Sequence, residues 1–109
     1  MQTNAERVLD ALGDPTRREV FKRLRSGTRS VGELAEGLHV TRPAVSQHLQ
    51  VLKKAHLVFD RAEGTRRLYS VDNRGVGELR KWLDGFWDET LTAFKKAAER
   101  EASRERKLR

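Results

Sequence analysis

Ser30-Val31-Gly32-Glu33-Leu34-Ala35-Glu36-Gly37-Leu38-His39-Val40-Thr41-Arg42-Pro43-Ala44-Val45-Ser46-Gln47-His48-Leu49-Gln50-Val51-Leu52 reads as two short helices joined by a tight connection. Ser30 can cap the first, which carries Val31, Leu34, Ala35 and Leu38, and His39-Val40 forms the joint. Thr41 can cap the second, which opens Arg42-Pro43-Ala44 and carries Val45, Leu49, Val51 and Leu52. A helix-turn-helix needs a small residue where one helix crosses the other, and Ala35 sits there, with Leu34, Leu38, Val40, Val45 and Leu49 as the shared core.

The start of the second helix presents Thr41, Arg42, Ser46 and Gln47, side chains able to donate to phosphates or read base edges in a major groove. Arg42 and Gln47 are the candidates for bases, and Thr41 serves chiefly as the cap. His48 either packs under the helix or touches a phosphate. Leu57 to Arg61 and Arg67 to Val71 are rich in strand formers, with a turn at Glu63-Gly64, so a two-stranded hairpin follows the second helix. Arg61, Arg66 and Arg67 flank its tip and, with Lys53, are the candidates for contacts to the nucleic-acid backbone or an adjacent minor groove. An ordinary charged hairpin is the competing reading.

Working outward, Asn4 is placed to cap a short helix bearing Val8, Leu9 and Leu12 and ending at Gly13. Asp14-Pro15 opens another, bearing Val20, Phe21 and Leu24. From about Arg74, apolar residues recur at Val76, Leu79, Leu83, Phe86, Trp87, Leu91 and Phe94, which predicts a long final helix over about 74–98. Residues 1–98 then form one domain, and the charged stretch 99–109 is expected to fray or be disordered. The fold class expected is mainly α with a small β-hairpin, a winged helix-turn-helix of about five helices and a two-stranded wing.

The 109 residues carry 23 Lys and Arg against 16 Asp and Glu, a net charge of +7. The excess lies in two blocks. In residues 39–71, Arg42, Lys53, Lys54, Arg61, Arg66 and Arg67 face Asp60 and Glu63, a net of +4. In residues 95–109, seven bases face Glu99, Glu101 and Glu105, again +4. Concentrated positive charge suits a surface that meets a polyanion. There is no cysteine, which excludes disulfides, thiolate metal sites and thiol redox sensing. No apolar run approaches the ~18 residues of a membrane span and no signal-peptide pattern opens the chain, so a cytoplasmic, nucleoid-associated protein is expected.

The segments Ala11-Leu12-Gly13-Asp14-Pro15-Thr16-Arg17-Arg18, Val31-Gly32-Glu33-Leu34-Ala35, Val45-Ser46-Gln47-His48-Leu49-Gln50-Val51-Leu52 and Gly64-Thr65-Arg66-Arg67-Leu68-Tyr69 resemble the ArsR/SmtB family of winged-helix repressors. The resemblance covers more than half the chain and implies a dimeric repressor of transcription that binds double-stranded DNA. Metal-sensing members place a Cys-x-Cys pair where this chain has Ser30 and Gly32, and others use carboxylate and histidine ligands in the last helix, whereas residues 72–109 here hold no histidine. The sequence thus resembles the metal-independent members, whose Trp-Leu-x-x-Phe-Trp pattern stands at residues 82–87. His56 occupies a position where relatives have glycine.

The three histidines, His39, His48 and His56, are too dispersed to define a zinc site, so no metal and no cofactor is expected. Leu9, Leu12, Leu79, Trp82, Leu83, Phe86, Trp87 and Phe94 offer more apolar area than one short winged helix can cover, which predicts a homodimer through the first and last helices. Its two recognition helices would lie about 34 Å apart and read a near-palindrome. The aromatics could also line a pocket for a small apolar effector, although core packing is the plainer reading. The competing functional class is a protein- or RNA-interaction module. An enzyme is a distant third, because Ser46 and His48, two apart on a helix, cannot face each other and no phosphate-cradling loop is present.

Overall fold

Four helices begin at a side-chain oxygen that accepts an otherwise unpaired backbone N–H. In the computed structural model, which describes residues 1–108, α1 (Asn4–Gly13) starts at Thr3, whose Oγ1 accepts from Glu6 N at 3.2 Å while Glu6 accepts from Thr3 N at 3.1 Å. The cap is therefore Thr3 rather than Asn4, whose Nδ2 instead donates to the Ala55 carbonyl at 3.0 Å. Asp14 caps α2 (Pro15–Leu24), accepting from Thr16 N and Arg17 N at 2.8 and 3.0 Å. Ser30 and Glu33 form a second reciprocal capping pair at α3 (Val31–Ala35). Thr41 caps α4 (Arg42–Lys54), accepting from Ala44 N at 3.3 Å. Helix α3 is shorter than its apolar pattern suggests: it stops at Ala35, and Leu38 and Val40 pack against the core from irregular backbone.

Strands β2 (Val58–Glu63) and β3 (Arg66–Val71) pair antiparallel, Val58 opposite Val71 and Glu63 opposite Arg66, so the two-residue turn is Gly64-Thr65 with Gly64 at φ +61°. A third strand, β1 (Arg29–Ser30), pairs with the other edge of β3, which puts the sheet in the order β1-β3-β2. The sheet is thus three-stranded where the sequence pattern marked two strands, because two residues carry no alternation to read.

The chain divides into two compact units, residues 1–79 and the segment from residue 80 onward. In the first, Val8, Val20, Leu34, Val45, Leu49 and Leu52 are fully buried in one cluster with Leu57, Val58 and Tyr69. Leu12 and Leu79 pack partly buried against that cluster, whereas Leu9 stays exposed.

The second unit is helical. Helix α5 runs Asn73–Lys107 and continues through 99–107, residues whose composition argued for fraying. Ala, Glu, Arg and Lys are strong helix formers, so the same charged composition that cannot build a core can extend a helix already nucleated.

Recognition-helix geometry is tied to the root of α5. After α4, His56 turns the chain at φ +59°, the left-handed position that glycine usually fills at a helix end. Gly75 N then donates to His56 O at 2.8 Å. A Cβ on Gly75 would lie 2.6 Å from both the Ala55 and His56 carbonyl oxygens, backbone atoms that cannot swing aside. Gly75→Ala is accordingly expected to cost about 1–3 kcal/mol of folding stability, the usual range for overpacking, as measured by urea denaturation.

Candidate nucleic-acid interface

Burial of one side of α4 decides what its other side can offer. Val45, Leu49 and Leu52, spaced four and three apart, are buried, so Pro43, Gln47, Gln50 and Lys54 line the exposed side. Gln47, a candidate for base reading, is among them. Gln50 and Lys54 follow at the helical spacings from Gln47; the sequence pattern marks Lys54 only by its charge and Gln50 not at all, although that spacing points to both. Ser46 and His48 are half-buried on the flanks, and Thr41 is exposed with its hydroxyl engaged in the cap.

Arg42 lies across the start of α3. A Cβ built on Gly32 would be 3.1 Å from Arg42 Nη2, so the bare glycine is what lets the guanidinium settle there. Arg42 is exposed and absent from the ion pairs of the described residues, which leaves its charge open to an outside acceptor. A groove of about 590 Å³ runs between it and the wing, bordered by Gly32, Glu33, Ser46, Thr65, Arg66 and Arg67.

The wing bases are not equivalent. Arg61 reaches Glu63 at 3.7 Å and Arg66 reaches Glu33 of α3 at 3.8 Å, both between exposed side chains. Such pairs contribute about 0–1 kcal/mol and give way readily to a phosphate. Arg67 and Lys53 share a different partner: Asp60, whose side chain is 5% exposed, accepts from Lys53 Nζ at 2.8 Å and from Arg67 Nε at 2.7 Å. These bonds, Lys53's foremost, hold the Asp60 carboxyl below the usual carboxylate range despite its burial. Two residues expected to face outward are therefore joined through an acid the sequence reading had counted only as an opposing charge.

Several other arginines cap helix ends. Arg17 Nε donates to Ala11 O at 2.8 Å and Arg18 Nη1 to Leu12 O at 2.9 Å, at the C-terminus of α1, and Arg23 donates to the Leu34 and Glu36 carbonyls at the end of α3. Cations there satisfy open carbonyls and complement the helix dipole.

On α5, Trp82, Leu83, Phe86, Trp87 and Phe94 are exposed in the single chain, Phe86 by 50% and Phe94 by 73%. Trp82 and Phe86 stack with centroids 5.8 Å apart and planes 9° apart, and Trp87 meets Phe86 edge-on at 6.3 Å. Among the described residues, no group of three metal-binding side chains converges, and no helix is long and apolar enough to cross a membrane.

A helix-turn-helix domain family model matches residues 12–58, the span from the end of α1 into β2. The chain is 54% identical over 89 residues to the HTH-type transcriptional regulator Rv2034 of Mycobacterium tuberculosis, covering 82% of this chain and 83% of that protein. It is also similar to the solution structure of the homodimeric winged helix-turn-helix DNA-binding domain of Mb0332 from Mycobacterium bovis, a possible ArsR-family transcriptional regulator. There the TM-score is 0.63 and the identity 32%, over 81% of this chain and 82% of that one. The chain belongs to the ArsR/SmtB family of winged helix-turn-helix transcriptional regulators. Another relative, the transcriptional repressor SdpR of Bacillus subtilis, is 32% identical over 72% of this chain and 88% of its own length. Family membership makes this a DNA-binding regulator of transcription and not an enzyme.

Asp60 also sets an acid limb of stability. Its folded pKa lies below the unfolded value of about 3.9, so its contribution is complete above that value and is lost as pH falls through the folded pKa. The stability difference between the wild type and Asp60→Asn, from urea titrations, is expected to be constant from about pH 5 to 8 and to shrink below about pH 4.

Proposed function

We propose that the chain is a homodimeric repressor that reads a near-palindromic operator with two copies of α4 and steadies each on the duplex with its wing, acting at the nucleoid and without metal sensing. The observation that carries this reading is the exposed side of α4, where Gln47 and Gln50 project over a fully buried seam, with the unpaired Arg42 guanidinium beside its start, across α3. Arginine paired bidentate with guanine, and glutamine with adenine, are the pairings a major-groove helix uses. Arg61 and Arg66, held only by exposed acids, supply backbone contacts beside it.

The named functions of Rv2034, a regulator, and SdpR, a repressor, support regulation of transcription, and the homodimeric state of the Mb0332 domain supports a pair of chains. The exposed aromatic run on α5 is the surface a second copy would cover, since a fully buried aromatic side chain stabilises by about 1.5–3 kcal/mol. The absence of cysteine and of histidine after residue 71 supports a signal other than a thiolate- or histidine-bound metal.

Fluorescence anisotropy with the DNA upstream of the gene tests the proposal. A near-palindrome there should bind tightly, and the affinity should fall steeply with salt as condensed counterions are released. Equal binding of a scrambled duplex would remove the repressor reading and leave a general interaction module. Arg42→Ala and Gln47→Ala are each expected to weaken operator binding by about 1–3 kcal/mol while leaving the scrambled duplex less affected.

Sedimentation tests the dimer. Phe86→Asp puts a charge into the centre of the aromatic run and is expected to raise the dimer dissociation constant at least tenfold, about 1.4 kcal/mol. A wild type that sediments as a monomer at every concentration would contradict the pairing.

A further inference from the structure

The carboxylate of Asp60 ties the wing to the recognition helix. It joins three elements: Lys53 in the last turn of α4, Asp60 on β2 and Arg67 on β3. In the ladder Asp60 stands opposite Tyr69, so Arg67 is its diagonal neighbour on the same side of the hairpin and reaches it along the strand direction. Each carboxylate oxygen takes one cation, Oδ1 the ammonium and Oδ2 the guanidinium. The three groups together carry one net positive charge instead of the two that the bases alone would present. The Asp60 side chain is covered, with 5% exposed, whereas Lys53 and Arg67 are about half exposed, so the cations face solvent and the charge that balances them lies beneath.

A cation's attraction for phosphate is blind to sequence, and every base in reach of the backbone raises affinity for all DNA alike. Specificity is a difference of affinities, so a sequence-blind term cancels from it, whereas a fixed alignment of wing and helix that only the operator's contacts use adds to it. The other wing pairs do not restrain their bases in this way, because Glu33 and Glu63 are exposed and compete weakly with a phosphate. Asp60 holds its bases more firmly, since each makes a short charge-assisted hydrogen bond to its own carboxylate oxygen, at 2.8 and 2.7 Å.

We propose that Asp60 is a specificity-determining positioning residue: by holding Lys53 and Arg67 together it fixes the wing to the end of the recognition helix and withholds one unit of charge from indiscriminate phosphate binding. This rests on the DNA-reading function proposed above. Removing the acid should raise affinity for any duplex through the released charge and, by loosening the wing from the end of α4, raise it less for the operator, whose contacts depend on that alignment.

The test compares wild type, Asp60→Asn and Asp60→Glu by fluorescence anisotropy on the near-palindromic duplex and a scrambled one at several salt concentrations. Asp60→Asn is expected to bind the scrambled duplex more tightly, by about eightfold at 0.1 M salt if one phosphate contact is gained, with a log–log salt slope steeper by about 0.9. The ratio of operator to scrambled affinity should narrow. Asp60→Glu, which keeps the charge between the two bases, should stay near wild type, and Lys53→Gln should cost the Asp60→Asn background more scrambled-duplex affinity than it costs wild type.

Circular dichroism at the assay temperature establishes that each variant is folded, and Asp60→Ser, which retains one acceptor without charge, takes the place of Asp60→Asn if that variant is not. Equal salt slopes for the neutral and acidic forms on the scrambled duplex would overturn the proposal and leave Asp60 a purely structural bridge. A wild type that fails to distinguish the two duplexes would instead remove the operator-reading function, and the slope on the scrambled duplex would still report on Asp60.

Discussion

Val45, Leu49 and Leu52 pack α4 into a cluster shared with Val8 of α1, Val20 of α2 and Leu34 of α3, and all six are fully buried. Three side chains at helical spacing fix both the tilt and the rotation of a helix, because turning it would expose one apolar residue while forcing a polar one inward. Every residue assigned to DNA reading inherits its direction from that seam. Gln47 and Gln50 face outward because Val45, Leu49 and Leu52 face inward. The wing follows from it too, since Leu57 and Val58, buried in the same cluster, set where β2 begins.

The electrostatics are layered on this packing. A formal charge of +7 suggests a uniformly attractive surface, yet several of the bases are already committed. Arg17, Arg18 and Arg23 close the ends of helices, and Arg74 chelates Asp72 at the start of α5, with 2.7 Å between Arg74 Nη2 and Asp72 Oδ2. On α4 and the wing the bases differ in what they offer an external polyanion: Arg42 and Lys54 with no acidic partner among the described residues, Arg61 and Arg66 with weak ones, and the Lys53–Asp60–Arg67 group with one net charge among three side chains. Discrimination between sequences benefits when few bases are free and each has a set direction.

Local chemistry was legible in the sequence. The caps at Asp14, Ser30 and Thr41, the buried seam of α4 and the paired strands of the wing all follow from neighbours within a few residues, where propensity and spacing act. What escaped depends on contacts made only by folding. Thr3 caps α1 because Glu6 completes a reciprocal pair and frees Asn4 to bond Ala55, 51 positions away. Strand β1 exists because the edge of β3 is there to receive it. Asp60 reads as one acid among bases until the hairpin register and the end of α4 bring Arg67 and Lys53 to it. The close approach of Gly75 to the turn at His56 is likewise invisible in the pattern of either segment.

The proposed dimer makes one geometric demand: α4 and its wing, held by the buried seam, would address one face of a duplex, twice. Hydroxyl-radical footprinting of the purified protein on the DNA upstream of its gene measures that directly. The account predicts two protected stretches on the same face of the helix, related by a near-dyad and separated by one turn of about 10 base pairs or a multiple of it. Even protection along the fragment, or a single stretch with no symmetry mate, would contradict it.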